Sequence, residues 1–177
     1  GKLYVMSAAK TVAYENGSFR EQIPYVPLVI IGAAPAGGGT TLENLNLLTS
    51  KRRIEFSADG ESTEYHFPAE ARDVISVKVD NVGLILSEAG AYDPVKNVFT
   101  FATAPEKGVG NVEFTYDTNP GVAEENRMRI VNCRLAEAYN GSTDTRLFVA
   151  GDGTNICYYS GVTQAGDATA MYFPAMN

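Results

Sequence analysis

The sequence predicts a mainly β protein. A small antiparallel β-sandwich over residues 50–119 is set into propeller-blade-like β segments over 1–49 and 120–177, with one short helix. Three observations predict it. Apolar and polar residues alternate with a period of two along most of the chain, as strands with one buried face require. Turn signals such as Asn16-Gly17 and Asp59-Gly60 punctuate the alternation. The alternation is densest in the middle, while the two flanks share a looser style of short strands, tight turns and aromatic residues.

Taken in order, KLYVMSAAKTVAYENGSFREQ reads as short strands and a turn, with Leu3 and Val5 on one face and Val12 and Tyr14 continuing it. YVPLVIIG reads as a buried apolar strand. RRIEFSADGESTEYHF reads as a hairpin, with Ile54, Phe56, Tyr65 and Phe67 inward around Asp59-Gly60. VISVKVD sets Ile75, Val77 and Val79 against Ser76, Lys78 and Asp80. VGLILS and AYD are short edges. NVFTFATAPEKG turns Phe99 and Phe101 inward, and GNVEFTYDTN does the same with Val112, Phe114 and Tyr116. Each such side chain contributes about 1.5–3 kcal/mol on burial, enough collectively for a module of this size. After a Pro120-Gly121 break, Ala123 to Cys133 reads as the helix, with Met128 and Val131 on its inner face. Two strands then flank the NGSTDT turn, and NICYYS supplies a third.

The glycine-rich stretch GAAPAGGGTT resembles a phosphate-binding loop, but the chemistry fails. With Gly32 and Gly37 as frame glycines, Gly38 and Gly39 occupy the positions of the required lysine and hydroxyl. Pro35 also removes a backbone donor. The glycines therefore serve backbone geometry.

The chain has 177 residues, 45% hydrophobic and 20% charged, with a formal net charge of −7. That acidic balance argues against nucleic acid as a partner, because phosphate binding needs a cationic surface. The one tight basic cluster, Lys51-Arg52-Arg53, reads as a strand start. No apolar run approaches the length of a membrane span, and no signal-peptide core stands near the N-terminus. Cys133 and Cys157 lack zinc-ligand spacing and read as two buried thiols, with a disulfide left open. The single histidine, His66, reads as an exposed strand residue, so catalytic triads and multi-histidine metal sites have no support. No metal, cofactor or catalytic residue is assigned.

Four other features favour turns or caps over chemistry. Asn16-Gly17-Ser18 and Asn140-Gly141-Ser142 match the glycosylation acceptor but sit where hairpin turns are wanted. Asp152-Gly153-Thr154-Asn155 lacks the alternating oxygen ligands of a calcium loop. Glu124 and Glu125 read as helix first-turn charges and Asp144 as a turn residue, not as a hydrolytic carboxylate pair. Tyr158, Tyr159, Tyr172 and Phe173 are the candidate interface or stacking residues, able to anchor a protein contact or stack on a glycan. The same rings serve equally well as blade core.

Several strings resemble a known pattern. TDTRLFVAGDGTNICYYSG followed by MYFPAMN resembles the "R-hydrophobic-F-x-x-G … YYS … YFP" signature of bacteriophage virion proteins of the tail, neck or head–tail stabilising type. GAAPAGGGTTLENLNLLTSKRRIEFSADG resembles the crossover that leads, in such proteins, into an inserted β-module. SADGESTEYHF, VKVD, VFTFATAPEKG and NVEFTY are similar to the small sandwiches common in phage structural proteins. The resemblance implies β-propeller blades and a non-enzymatic role in a phage or prophage particle, assembled in the bacterial host cytoplasm. It implies contacts with other virion subunits, self-association included, and neither cofactor nor membrane. Propellers of this type are much longer, so it also implies a fragment or a reduced version. A carbohydrate-binding or adhesin module using Tyr158, Tyr159 or Tyr172 is the alternative.

Overall fold

The chain divides into two compact units. One comprises Gly1–Tyr25, Leu45–Thr49 and Pro120–Asn177; the other comprises Val26–Asn44 and Ser50–Asn119. The computed structural model describes residues 3–7, 10–140, 145–163, 165–166 and 169–175.

In chain order, β1 (Leu3–Met6), β2 (Thr11–Glu15) and β3 (Ser18–Gln22) come first. β4 (Leu28–Ala33), β5 (Thr40–Thr41), β6 (Lys51–Phe56), β7 (Glu64–His66), β8 (Asp73–Val79) and β9 (Val82–Leu84) follow. A one-turn helix α1 (Leu86–Ala89) precedes β10 (Gly90–Asp93), β11 (Val98–Phe101) and β12 (Val112–Asp117). Helix α2 (Pro120–Val131) leads into β13 (Leu135–Asn140), β14 (Thr145–Ala150) and β15 (Cys157–Tyr159). The protein is mainly β, with several antiparallel sheets.

The second unit is a sandwich of a six-stranded sheet, ordered β5-β4-β6-β12-β8-β9, and a three-stranded sheet, ordered β10-β11-β7. Central strand β12 alternates strictly, burying Val112, Phe114 and Tyr116 while Glu113, Thr115 and Asp117 stay half-buried. Phe114 meets Phe67 and Phe99, each with ring centroids 5.0 Å away, and Phe56 at 5.8 Å, in edge-on or tilted geometry. Rings arranged this way add to what area burial alone contributes. Ile54, Tyr65, Val77 and Phe101 complete the layer.

Sequence expectation and structure part in this unit at four points. Residues 51–67 are not a hairpin: β6 pairs with β12 and β4, whereas β7 pairs with β11 in the opposite sheet. The Asp59-Gly60 turn changes sheets, and the Asp59 carboxylate accepts from the Glu61 and Ser62 amides and the Ser62 hydroxyl. In β8 a bulge opposite Thr115 and Tyr116 shifts the register, so Val74 and Val77 are buried and Ile75 faces out. The segment 26–44, expected in the flank, belongs to this unit because β4 pairs in parallel with β6. Finally, the glycine stretch is not a crossover between modules but the loop between β4 and β5, which pair Ile30 with Thr41 and Ile31 with Thr40. Gly37, Gly38 and Gly39 have φ of 99°, 88° and 99°. At Gly39 a Cβ would lie 2.8 Å from the Ile31 carbonyl oxygen. Only glycine meets both demands.

The first unit holds two three-stranded sheets, β1-β2-β3 and β13-β14-β15, with helix α2. Its core gathers Leu48, Ile130, Val149, Tyr158, Met171 and Phe173. The helix starts at Pro120, three residues before the expected point, since proline at the first helical position forgoes only an amide that lacks a partner anyway. Its inner residues are Arg127 and Ile130, while Met128 and Val131 are half-buried. Glu124 and Glu125 therefore lie beyond the first turn, and Glu125 pairs with Arg129 at 3.1 Å. Propeller blades have no counterpart among the described residues: both sheets of this unit are open and three-stranded.

Candidate functional site

The RLFVAG, YYS and YFP strings of the signature come together in the first unit. Strand β14 lies between β13 and β15, aligning Val149 with Tyr158 and Phe148 with Tyr159. The Met171–Pro174 stretch (MYFP) is pinned by Asn46, a buried residue that sequence reasoning missed. The Asn46 amide nitrogen donates to the carbonyls of Tyr25 (2.7 Å) and Met171 (2.8 Å). Its oxygen accepts from the amides of Leu48 (3.1 Å) and Phe173 (3.0 Å). Both donors and both lone-pair directions are thus used, so the amide sits at little cost in the core. The Gly161 amide donates to the Tyr172 carbonyl at 2.7 Å and clasps the segment from the other side.

Three of the four aromatic candidates are consequently internal: Tyr158, Tyr172 and Phe173 are 8%, 4% and 0% exposed. A strand of three residues such as β15 gives no sequence signal for which face it buries. Tyr172 packs on Tyr25, ring centroids 5.2 Å apart. Tyr159 is half-buried, with the Arg146 guanidinium 5.3 Å from its ring centroid and Phe148 on the same face. Beside it opens a cleft of about 260 Å3, lined by Leu47, Ile156 and Pro174 with Asn126 and Arg129.

The Tyr158 hydroxyl donates to Asp152 at 3.0 Å, and burial, then this contact, pushes its pKa up. Asp152 also accepts from the hydroxyl (2.6 Å) and amide (3.0 Å) of Thr154, and these bonds hold its carboxyl below the usual range. The DGTN stretch is therefore a closed turn built on one carboxylate. The two cysteines are free. Cys157 is exposed and Cys133 half-buried, which corrects the expectation of two buried thiols. Burial first, then Asp152, pushes the Cys133 thiol pKa up. His66 is exposed on β7, as its alternation predicts. Asp144 and the Gly141-Ser142 part of the second acceptor motif lie outside the described residues. Among the described residues no His/Cys/Asp/Glu group could hold a metal ion, and no helix is long and apolar enough to cross a membrane.

Arg127 was also missed. It is buried, donating to the Ser7 carbonyl at 3.0 Å and the Thr11 hydroxyl at 2.8 Å, so it ties α2 to the β1–β2 connection. Burial lowers its pKa. No periodicity marks either residue, because a polar side chain is read as solvated until its partners are known.

An exposed apolar face of this unit lies elsewhere. Pairing of Leu3 with Tyr14, Val5 with Val12 and Tyr14 with Phe19 puts these five side chains on one face of the β1-β2-β3 sheet. Leu3, Val5, Tyr14 and Phe19 are 60%, 44%, 41% and 66% exposed. Tyr14 and Phe19 touch, ring centroids 4.9 Å apart. The alternation that identified this face was legible in sequence; that it faces solvent was not. No family model, curated protein or solved structure matches the chain.

Proposed function

We propose that the chain is a non-enzymatic structural module of a phage or prophage particle, acting through protein–protein contacts. The observation that carries this reading is the apolar face Leu3, Val5, Val12, Tyr14 and Phe19, left uncovered on an open sheet. A contiguous apolar patch rimmed by polar residues marks a surface made for another protein. The virion signature adds support: its RLFVAG, YYS and YFP strings meet in one core, as a pattern that specifies packing does. Mass spectrometry and immunogold labelling of purified particles from the producing strain test it. The chain is expected in particles at a stoichiometric copy number; recovery only from the particle-free lysate overturns it.

The carbohydrate-binding alternative requires open ring faces for stacking. Tyr158 and Tyr172 are buried, and Tyr159 carries Arg146 over its ring. Particle assembly is the better reading.

A further inference from the structure

We propose that the edge of β1 takes the β1 strand of a second copy, in antiparallel register, joining two three-stranded sheets into one of six strands. The inference rests on the assembly reading and names its partner. Among the described residues β1 pairs with β2 alone, so one side of its backbone has no strand. An open edge invites a further strand, and proteins guard edges that must stay single with charge, proline, bulges or brevity.

The other edges are guarded. β3 carries Arg20 and Glu21, β13 carries Glu137, β7 carries Glu64 and β10 carries Asp93. β5 has two residues, and β9 and β15 have three each. β1, with the sequence LYVM, is the longest uncharged edge among the described residues.

Two-fold symmetry sharpens the choice. When identical strands pair antiparallel about an axis through the sheet, opposed side chains share a face, so the central residue meets its own copy. In β3 the central register sets Arg20 against Arg20, and in β13 one of the two central registers sets Glu137 against Glu137. In β1 the two central registers set Tyr4 against Tyr4 or Val5 against Val5, with no charge in either. Both also run the Leu3, Val5, Val12, Tyr14 and Phe19 face of one copy into that of the next.

Each copy carries a formal charge of −7, so the two repel at long range. Salt screens that repulsion and leaves strand pairing and apolar contact intact. Association at this edge therefore tightens with salt, opposite to an interface held by ion pairs.

Sedimentation velocity of the full chain over a range of concentrations and NaCl tests the proposal. A reversible dimer that tightens with salt is expected. Val5→Lys should weaken it at least tenfold with an unchanged far-UV spectrum, and Val82→Lys on β9 should leave it alone. If Val5→Lys perturbs folding, Tyr4→Cys and Val5→Cys, each in a Cys133→Ser/Cys157→Ser background, decide: oxidation should trap an interchain disulfide in the one whose register forms. A monomer at every concentration and salt, a dimer indifferent to Val5→Lys in a folded variant, or no trapped disulfide in either cysteine variant overturns the proposal. A monomer found nonetheless in purified particles sinks only the β1 edge; a dimer absent from particles sinks the assembly reading instead.

Discussion

Asn46→Asp changes almost no volume and reverses one hydrogen-bonding role. The retained oxygen still accepts from the Leu48 and Phe173 amides. The second carboxylate oxygen replaces the amide nitrogen and faces the Tyr25 and Met171 carbonyls, which lie 2.7 and 2.8 Å from the nitrogen it displaces. Each carbonyl loses this donor, although the Met171 oxygen keeps the Tyr25 amide at 3.0 Å, and the two losses cost about 1–3 kcal/mol together. Burying the new charge among acceptors adds to that. A deficit of about 3–6 kcal/mol at neutral pH follows for the first unit. The introduced carboxyl has a native pKa raised above its unfolded value of about 3.9. A raised native pKa means stability is present below the unfolded value and lost as pH rises through the native one. The deficit is therefore smaller at pH 4 than at pH 7, whereas that of Asn46→Ala changes little with pH. Hydrogen exchange of the Phe173 amide, read at both pH values after correction for intrinsic rates, reports the unit directly. Wild-type protection at pH 7, or a deficit independent of pH, would refute the assignment of Asn46 as the fastener of the MYFP segment.

Further outcomes are expected. Tyr65 and Tyr116 bury hydroxyls without a hydrogen-bond partner, so Tyr65→Phe and Tyr116→Phe should hold or raise stability, by up to about 1–2 kcal/mol in urea unfolding; a clear loss from either would reveal a bonded hydroxyl. Burial pushes both phenols up to about 12 from 10.0, so wild-type stability should fall as pH rises from 10 to about 12, and the double phenylalanine variant should flatten that fall. Gly39→Ala should cost about 2–3 kcal/mol, through a left-handed backbone and a clash with Ile31. Gly38→Ala, with open space around it, should cost less, and equal losses in thermal melts would contradict the geometry. Thr11→Val should cost about 1.5–3 kcal/mol by removing an acceptor from a buried guanidinium, and clearly less in an Arg127→Met background; additive losses in that cycle would deny the bond.

What was legible in sequence follows from what alternation encodes. It reports which side chains share a face, and it identified Phe56, Tyr65, Phe99, Phe101, Val112, Phe114 and Tyr116 as one buried layer. It does not report which sheet a strand joins, so β6 and β7 read as a hairpin although the chain crosses between sheets after Phe56. It assumes an unbroken register, so the β8 bulge inverted Ile75 and Val74. Nor does it separate a face turned to the core from one turned to solvent when both are apolar. Leu3 and Val5 were placed together correctly, yet their face is exposed; Tyr158, Tyr172 and Phe173 looked equally fit for surface and core, and they are core. Asn46 and Arg127 were invisible because their burial is compensated by partners up to 127 and 120 residues away.

The two units hold themselves together by different physics, and the difference bears on where partners bind. The sandwich unit buries a cluster of fourteen apolar or aromatic residues, among the described ones, and its edges are short or charged. Burial on that scale supports a unit without help from outside. Among the described residues the cluster of the other unit gathers six, joined by single polar fasteners, Asn46 and Arg127, whose net contribution is modest because each bond made replaces one to water. It is also the unit that leaves Leu3, Val5, Tyr14 and Phe19 in solvent. A partner that covers those side chains binds the folded form alone, so its binding energy adds to the stability of the unit with the smallest core. Association and folding are then linked in that unit.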